Sequence, residues 1–170
     1  LLGPEQSGYL MSVGYDLYLK LLEEAVLEER GEEKKIEAEC SADLTVPAYI
    51  PEGYVPAAEQ RMDLYRRIAA LRTPADEADL MDELLDRYGD VPKPVTALLN
   101  VAMLRAAAME TGITDITQKG RQLIFSFDMR IEPAALLAVC GMAGYRDRLQ
   151  LAAGASPKLT LFLQPKEDAL

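Results

Sequence analysis

Asp79, Asp82, Glu83 and Asp86 recur at i, i+3, i+4 and i+7 within the stretch PADEADLMDELLDRY (74–88). On a helix that spacing gathers four carboxylates on one side, while Leu80, Met81, Leu84, Leu85 and Tyr88 fall on the other. Like charges so placed repel by a few tenths of a kcal/mol per pair. Arg87 can relieve only Glu83, one turn away. Asp79, near the helix start, is helped by the helix dipole, whereas Asp86 is too far along to be. The chemistry open to such a stripe is capture of positive charge. Two readings stand: a solvated outer face, or a stripe held for a cationic partner surface.

Other chemistry is sparse. No GxxxxGK[ST] loop occurs and no GxGxxG follows a strand. The chain has no histidine, hence no Ser-His-Asp or Cys-His pair and no imidazole zinc ligand. Cys40 and Cys140 lack CxxC spacing. The segment is expected not to be an enzyme and to hold no cofactor or metal of its own. Arg61, Arg66 and Arg67 on one stretch invite a nucleic-acid reading, but in so acidic a context they are expected to pair within the fold. Tyr49 and Tyr54, bracketed by prolines, are expected to pin a loop onto helices rather than to form an exposed docking strip. Met103 and Met109 are read as core.

The 170 residues suffice for one domain with a sizeable core, with or without an added segment. A hydrophobic share of 49% and a charged share of 27% fit a soluble globular protein. A formal charge of −10 repels phosphate backbones, so direct nucleic-acid binding is disfavoured and a cationic protein surface is the natural partner. Two distant cysteines make no disulfide framework, which suits the cytoplasm, and Cys140, in an apolar stretch, is expected to be a buried free thiol. No apolar run approaches the ~20 residues that span a bilayer. The chain opens on Leu1 with helix-forming sequence close behind, which reads as a segment of a longer protein.

The elements that must position the stripe follow from periodicity and punctuation. A long helix is expected over 9–30, apolar along Tyr15, Tyr18, Leu22, Ala25 and Val26 and again along Leu10, Val13, Leu17 and Leu21, stopping at Gly31. GEEKKIEAE (31–39) reads as a polar, mobile connector. Cys40, Ala42, Leu44 and Val46 alternate as a half-buried strand. Pro47, Pro51 and Pro56 imply an extended segment. Three helices are expected next. The first spans 57–71, packing Leu64, Ile68 and Leu71. The second starts at Thr73 with Pro74 and a capping box to Asp76, and ends at Gly89. The third runs from Pro92, capped by Asp90, to Thr111. Strands over 113–117 and 123–127 with a turn at Lys119–Gly120, a helix over 133–140, and a hairpin of 145–151 with 159–163 complete the pattern. The order implies an α+β fold: a long N-terminal helix, a three-helix cluster and a mostly antiparallel sheet.

The central run PAYIPEGYVP (47–56), AEQRMDLYRRIA (58–69) and DELLDRYGDVP (82–92) is more specific than helices and turns require. With LGPEQSG (2–8), VGYDLY (13–18) and ALLNVAMLR (97–105), it resembles the C-terminal domain of the bacterial transcription-repair coupling factor, the Mfd family, over about residues 1–127. The resemblance implies three parts: 1–30 as the end of a translocase module and its connecting helix, 31–39 as a flexible connector, and 40–170 as a C-terminal regulatory domain.

For the parent, the resemblance implies an ATP- and Mg-dependent translocase on double-stranded DNA. It displaces stalled RNA polymerase and recruits nucleotide-excision repair through UvrA. For this segment it implies autoinhibition by packing on the parent's UvrB-like module, which masks the UvrA-binding surface and restrains the motor. Glu83 and Asp86 are then the expected latch, with Asp79 and Asp82 supporting. The competing expectation is a structural cap that stabilises the translocase module without any latch.

Overall fold

The computed structural model describes residues 40–128 and 130–170; the helix expected over 9–30 and the connector over 31–39 lie outside them. The described chain runs β1 (Ser41–Asp43), α1 (Ala58–Ala69), α2 (Pro74–Tyr88), α3 (Lys93–Glu110), β2 (Ile113–Lys119), β3 (Gln122–Phe127), α4 (Pro133–Cys140), β4 (Leu149–Ala152) and β5 (Lys158–Phe162). It is an α+β fold, as the element order implied. Two compact units divide it, a helical unit over 46–106 and a sheet unit made of 40–45 with 107–169.

In the helical unit, α1, α2 and α3 enclose a core of Leu64, Ile68, Leu71, Leu80, Leu84, Val95, Leu98 and Leu99. Ile50 and Val55 of the preceding loop join it. The proline-rich entry is not extended throughout. The backbone N–H groups of Tyr54 and Val55 donate to the Pro51 carbonyl at 3.0 and 3.1 Å, closing a tight turn. Proline fixes φ near −65°, which suits the first position of a helical turn as well as an extended strand. Arg61, only 5% exposed, holds this turn down by donating to the carbonyls of Val55 (2.8 Å) and Pro56 (2.9 Å). The Ile50 N–H donates to the Tyr65 hydroxyl at 2.8 Å, and the Tyr49 N–H donates to the Pro94 carbonyl at 3.2 Å.

α2 begins as its sequence dictates. The Thr73 hydroxyl accepts from the Asp76 N–H, and the Asp76 carboxylate accepts from the Thr73 N–H at 2.9 Å. It ends at Gly89, whose φ of +80° is open to glycine at no steric cost. α3 departs from expectation at its start. It begins at Lys93, and the carbonyl of Pro92, not the side chain of Asp90, receives the first N–H groups, from Val95 and Thr96.

The sheet has the order β1-β2-β3-β5-β4. β1 pairs with β2 in parallel and the other three pairings are antiparallel. The register places Ala42, Ile116, Phe125, Leu159 and Leu151 across one face, and Leu123, Leu161 and Leu149 beside them. Ala42, Ile116, Leu123 and Leu159 on that face are buried, as is Leu136 of α4. The last hairpin is shorter than expected, because 145–148 forms turns. Tyr145 N–H donates to the Met142 carbonyl and Arg148 N–H to the Tyr145 carbonyl, so β4 starts only at Leu149. Cys40 is buried and free, whereas Cys140 is free but only half-buried, short of the buried position its apolar surroundings implied.

Candidate docking face on α2

α2 is a rigid support. It carries a capping box and a proline at its start, and its inner face buries Leu80 and Leu84. At its other end the Tyr54 hydroxyl lies within 3.2 Å of the Leu84 carbonyl and 3.1 Å of the Gly89 carbonyl, and donates to this pair. The Gly89 carbonyl lies just beyond the last turn, where no helical N–H remains to meet it. The Tyr54 ring packs on Tyr88 with centroids 5.6 Å apart, and Arg87 lies 5.1 Å from the centroid of Tyr88. The loop and helix end therefore form one block, as the proline-bracketed tyrosine suggested.

Four carboxylates occupy the positions read from the sequence, but they do not share one environment. Asp79, Asp82 and Asp86 are exposed, whereas Glu83 is half-buried. Glu83 accepts from Arg67 of α1 through both carboxylate oxygens, one contact being Nη1–Oε1 at 2.8 Å, and from Arg87 Nη1 at 3.0 Å. The hydrogen bonds from Arg67, then those from Arg87, pull its pKa from 4.5 down to about 2. Arg87 was expected as its partner. Arg67, sixteen residues away in sequence, was not. Asp76 at the helix start is also held below the usual carboxylate range, by the Thr73 hydroxyl first and then the Thr73 and Arg72 backbone N–H groups.

The arginines of α1 are committed within the fold. Arg61 serves the Val55–Pro56 turn and lies 3.5 Å from Glu52, Arg66 meets Asp63 at 3.4 Å, and Arg67 holds Glu83. Leu85 corrects the sequence reading. It was placed on the packed side, yet it is 45% exposed. At 100° per residue Leu85 stands at the edge of the apolar arc, and neighbouring chain covers Leu84 and Leu80 instead. Among the described residues, no group of three His, Cys, Asp or Glu side chains is arranged to hold a metal ion. What the face offers chemically is three solvent-facing carboxylates and one leucine on a helix fixed at both ends.

The comparisons with known proteins agree with one another. The family model described as the TRCF domain matches residues 44–135. A transcription-repair-coupling factor of Staphylococcus haemolyticus (strain JCSC1435) is 36% identical over 132 residues, covering 76% of this chain and 11% of that protein. One of Bacillus subtilis (strain 168) is 39% identical over 119 residues, covering 69% of this chain and 10% of its own length. This chain thus spans about a tenth of the length of these relatives. The crystal structure of a C-terminal domain of transcription-repair coupling factor superposes with a TM-score of 0.66. At 20% identity over 79% of this chain and 86% of that one, this is a likeness of fold. On sequence and family model together, the chain belongs to the TRCF domain family, the C-terminal domain of transcription-repair coupling factors.

Proposed function

We propose that this chain is the regulatory domain of a longer cytoplasmic transcription-repair coupling factor and that it works by docking, not by catalysis. The parent is an ATP- and Mg-driven translocase on double-stranded DNA that displaces stalled RNA polymerase and recruits UvrA. The domain packs the outer face of α2 on the parent's UvrB-like module, masks the UvrA-binding surface there and restrains the motor. The observation that carries this reading is the division of charge on α2. Asp79, Asp82 and Asp86 face solvent on a helix capped at one end and clamped at the other, in a chain of formal charge −10. A helix so fixed loses little further freedom on docking, which favours affinity.

Glu83 takes a different part from Asp86 in this scheme. Its charge is already met by two guanidinium groups, so it holds α1 to α2 and orients the face, while Asp86 and Asp82 meet the partner. Several desolvated ionic contacts of ~2–5 kcal/mol each on truncation would make a workable latch, since inverting a 1:99 equilibrium takes about 5.5 kcal/mol. The test is binding of this chain, in trans, to the parent's UvrB-like module at low and high salt. Binding that weakens with salt and is lost in Asp82→Lys/Asp86→Lys supports the latch. Binding indifferent to both changes would transfer the role to a structural cap.

A further inference from the structure

The formal charge of −10 is not spread evenly along the chain. Residues 1–39 hold ten acidic and four basic side chains, residues 46–106 ten and seven, and the sheet unit eight and seven. Within the sheet unit cations gather at one end. β2 ends and β3 starts there, in the hairpin tip Lys119–Gly120–Arg121–Gln122, and β5 ends beside them. The Leu163 N–H donates to the Arg121 carbonyl at 2.8 Å, and Arg121 Nε donates to the Leu163 carbonyl at 3.2 Å. These bonds bring the next turn, Gln164–Glu167, beside the hairpin tip. Lys119, Arg121 and Lys166 are exposed at this corner, and among the described residues none of the three is in an ion pair. Arg148, close by, is neutralised by Glu167.

Two observations show that the corner is built. Glycines aside, Lys166 alone among the described residues has a positive φ, +75°, a backbone state that disfavours a lysine. The Glu167 N–H on the Gln164 carbonyl at 3.0 Å and the Glu167 carboxylate on the Gln164 N–H at 2.7 Å hold it there. Strain of this kind gathers at ligand clamps. The hairpin tip is braced as well: Gln118 Oε1 accepts from the Thr45 N–H at 2.9 Å, and Gln118 Nε2 donates to the Gly120 carbonyl at 3.1 Å.

We propose that this corner grips the phosphate backbone of double-stranded DNA without reading its sequence. The choice of duplex rests on the function proposed above. Polarity selects a nucleic acid over a protein partner. Specific protein interfaces carry an apolar centre, whereas backbone contacts to nucleic acid are made by cations and amides. Lys119, Arg121, Gln122, Gln164 and Lys166 supply cations and amides and no apolar centre. The acidic charge elsewhere does not forbid the contact, because charges more than about 8 Å away are largely screened at physiological salt.

Anisotropy of a labelled duplex of about 20 base pairs, titrated with this chain at about 50 and 200 mM salt, tests the proposal. Three phosphate contacts give a slope of log K against log salt of about −2.7, a weakening of roughly 40-fold over that range. Lys119→Gln/Arg121→Gln should leave a slope near −0.9, or about 3.5-fold. Lys166→Asn removes a charge at a position that asparagine tolerates, so the slope falls to about −1.8 without loss of melting temperature. Lys158→Gln, at the opposite end of β5, should change nothing. No binding with the chain at ~1 mM in the lower salt overturns the proposal. So does a slope that ignores the corner substitutions or responds equally to Lys158→Gln. Equal binding of polyglutamate overturns it too, since the ligand is then an acidic polypeptide. None of these residues lies on α2 and no partner module is present, so failure here leaves the α2 docking to its own test.

Discussion

Glu83→Gln isolates the ionic tie between α1 and α2, because it keeps the size of the side chain and removes its charge. Taken at face value, a pKa drawn from 4.5 to about 2 corresponds to roughly 3 kcal/mol of stabilisation. The side chains of Glu83, Arg67 and Arg87 are 33%, 39% and 45% exposed, so solvent screening reduces this to about 1–1.5 kcal/mol. Relief of repulsion with Asp79 and Asp86, one turn away on either side, returns a few tenths of a kcal/mol. The net expectation is ~1 kcal/mol at pH 7, or a fall in melting temperature of roughly 2–4 °C for a chain of this size.

The folded carboxyl has the lower pKa, so its stabilisation is complete above the unfolded value of 4.5 and disappears as pH falls toward 2. Thermal unfolding of wild type and Glu83→Gln at pH 7, 4.5, 3.5 and 2.5 reads this directly. The two melting temperatures should differ most at pH 7 and converge at the acid end. A gap that is constant with pH would mean that the variant loses packing rather than charge. No gap at pH 7 would mean that the pair contributes nothing net.

Three further substitutions follow from named contacts. Tyr54→Phe removes the hydroxyl shared by the Leu84 and Gly89 carbonyls and should cost ~1 kcal/mol in urea unfolding, with amide exchange rising first in the last turn of α2. Thr73→Ala opens the capping box and should cost about 1 kcal/mol, without altering the spectrum of the sheet unit. Arg61→Met keeps the apolar stem but strands the buried Val55 carbonyl and frees the part-buried Pro56 carbonyl, and should cost ~1–3 kcal/mol by the same urea assay.

What was legible in the sequence was local. Thr73, Pro74, Asp76 and Gly89 carry the ends of α2 in their own chemistry, and the alternation Cys40–Ala42–Leu44–Val46 survives as a burial pattern even though only 41–43 form ladder pairs. What was not legible depends on partners distant in sequence. No i, i+4 rule reaches from Arg67 to Glu83, and the parallel pairing of β1 with β2 joins residues 74 positions apart. The Pro51 turn was missed because proline restricts φ but leaves ψ open between helical and extended values. Asp90 was a credible cap by type, yet it stands two residues ahead of Pro92, where the helix takes its first N–H groups. At Tyr145 an aromatic residue beside leucines has strand character, but Gly144 at φ +89° and the turn bonds through Arg148 delay β4.

The misplacement of Leu85 and the pairing of Glu83 change how the proposed docking face would divide its work. A stripe of four equal carboxylates would bind by charge alone, weakly and with strong dependence on salt. Glu83 is instead drawn into the fold, and Leu85 stands in the open at the edge of the apolar arc, on the Asp82 side. A partner covering this face must supply cations for the aspartates and cover a leucine at the same time. Desolvating the leucine also removes water from the neighbouring ion pairs, which strengthens them relative to isolated surface pairs. Specificity then rests on meeting both demands in one geometry, and a basic surface without an apolar recess satisfies only one of them.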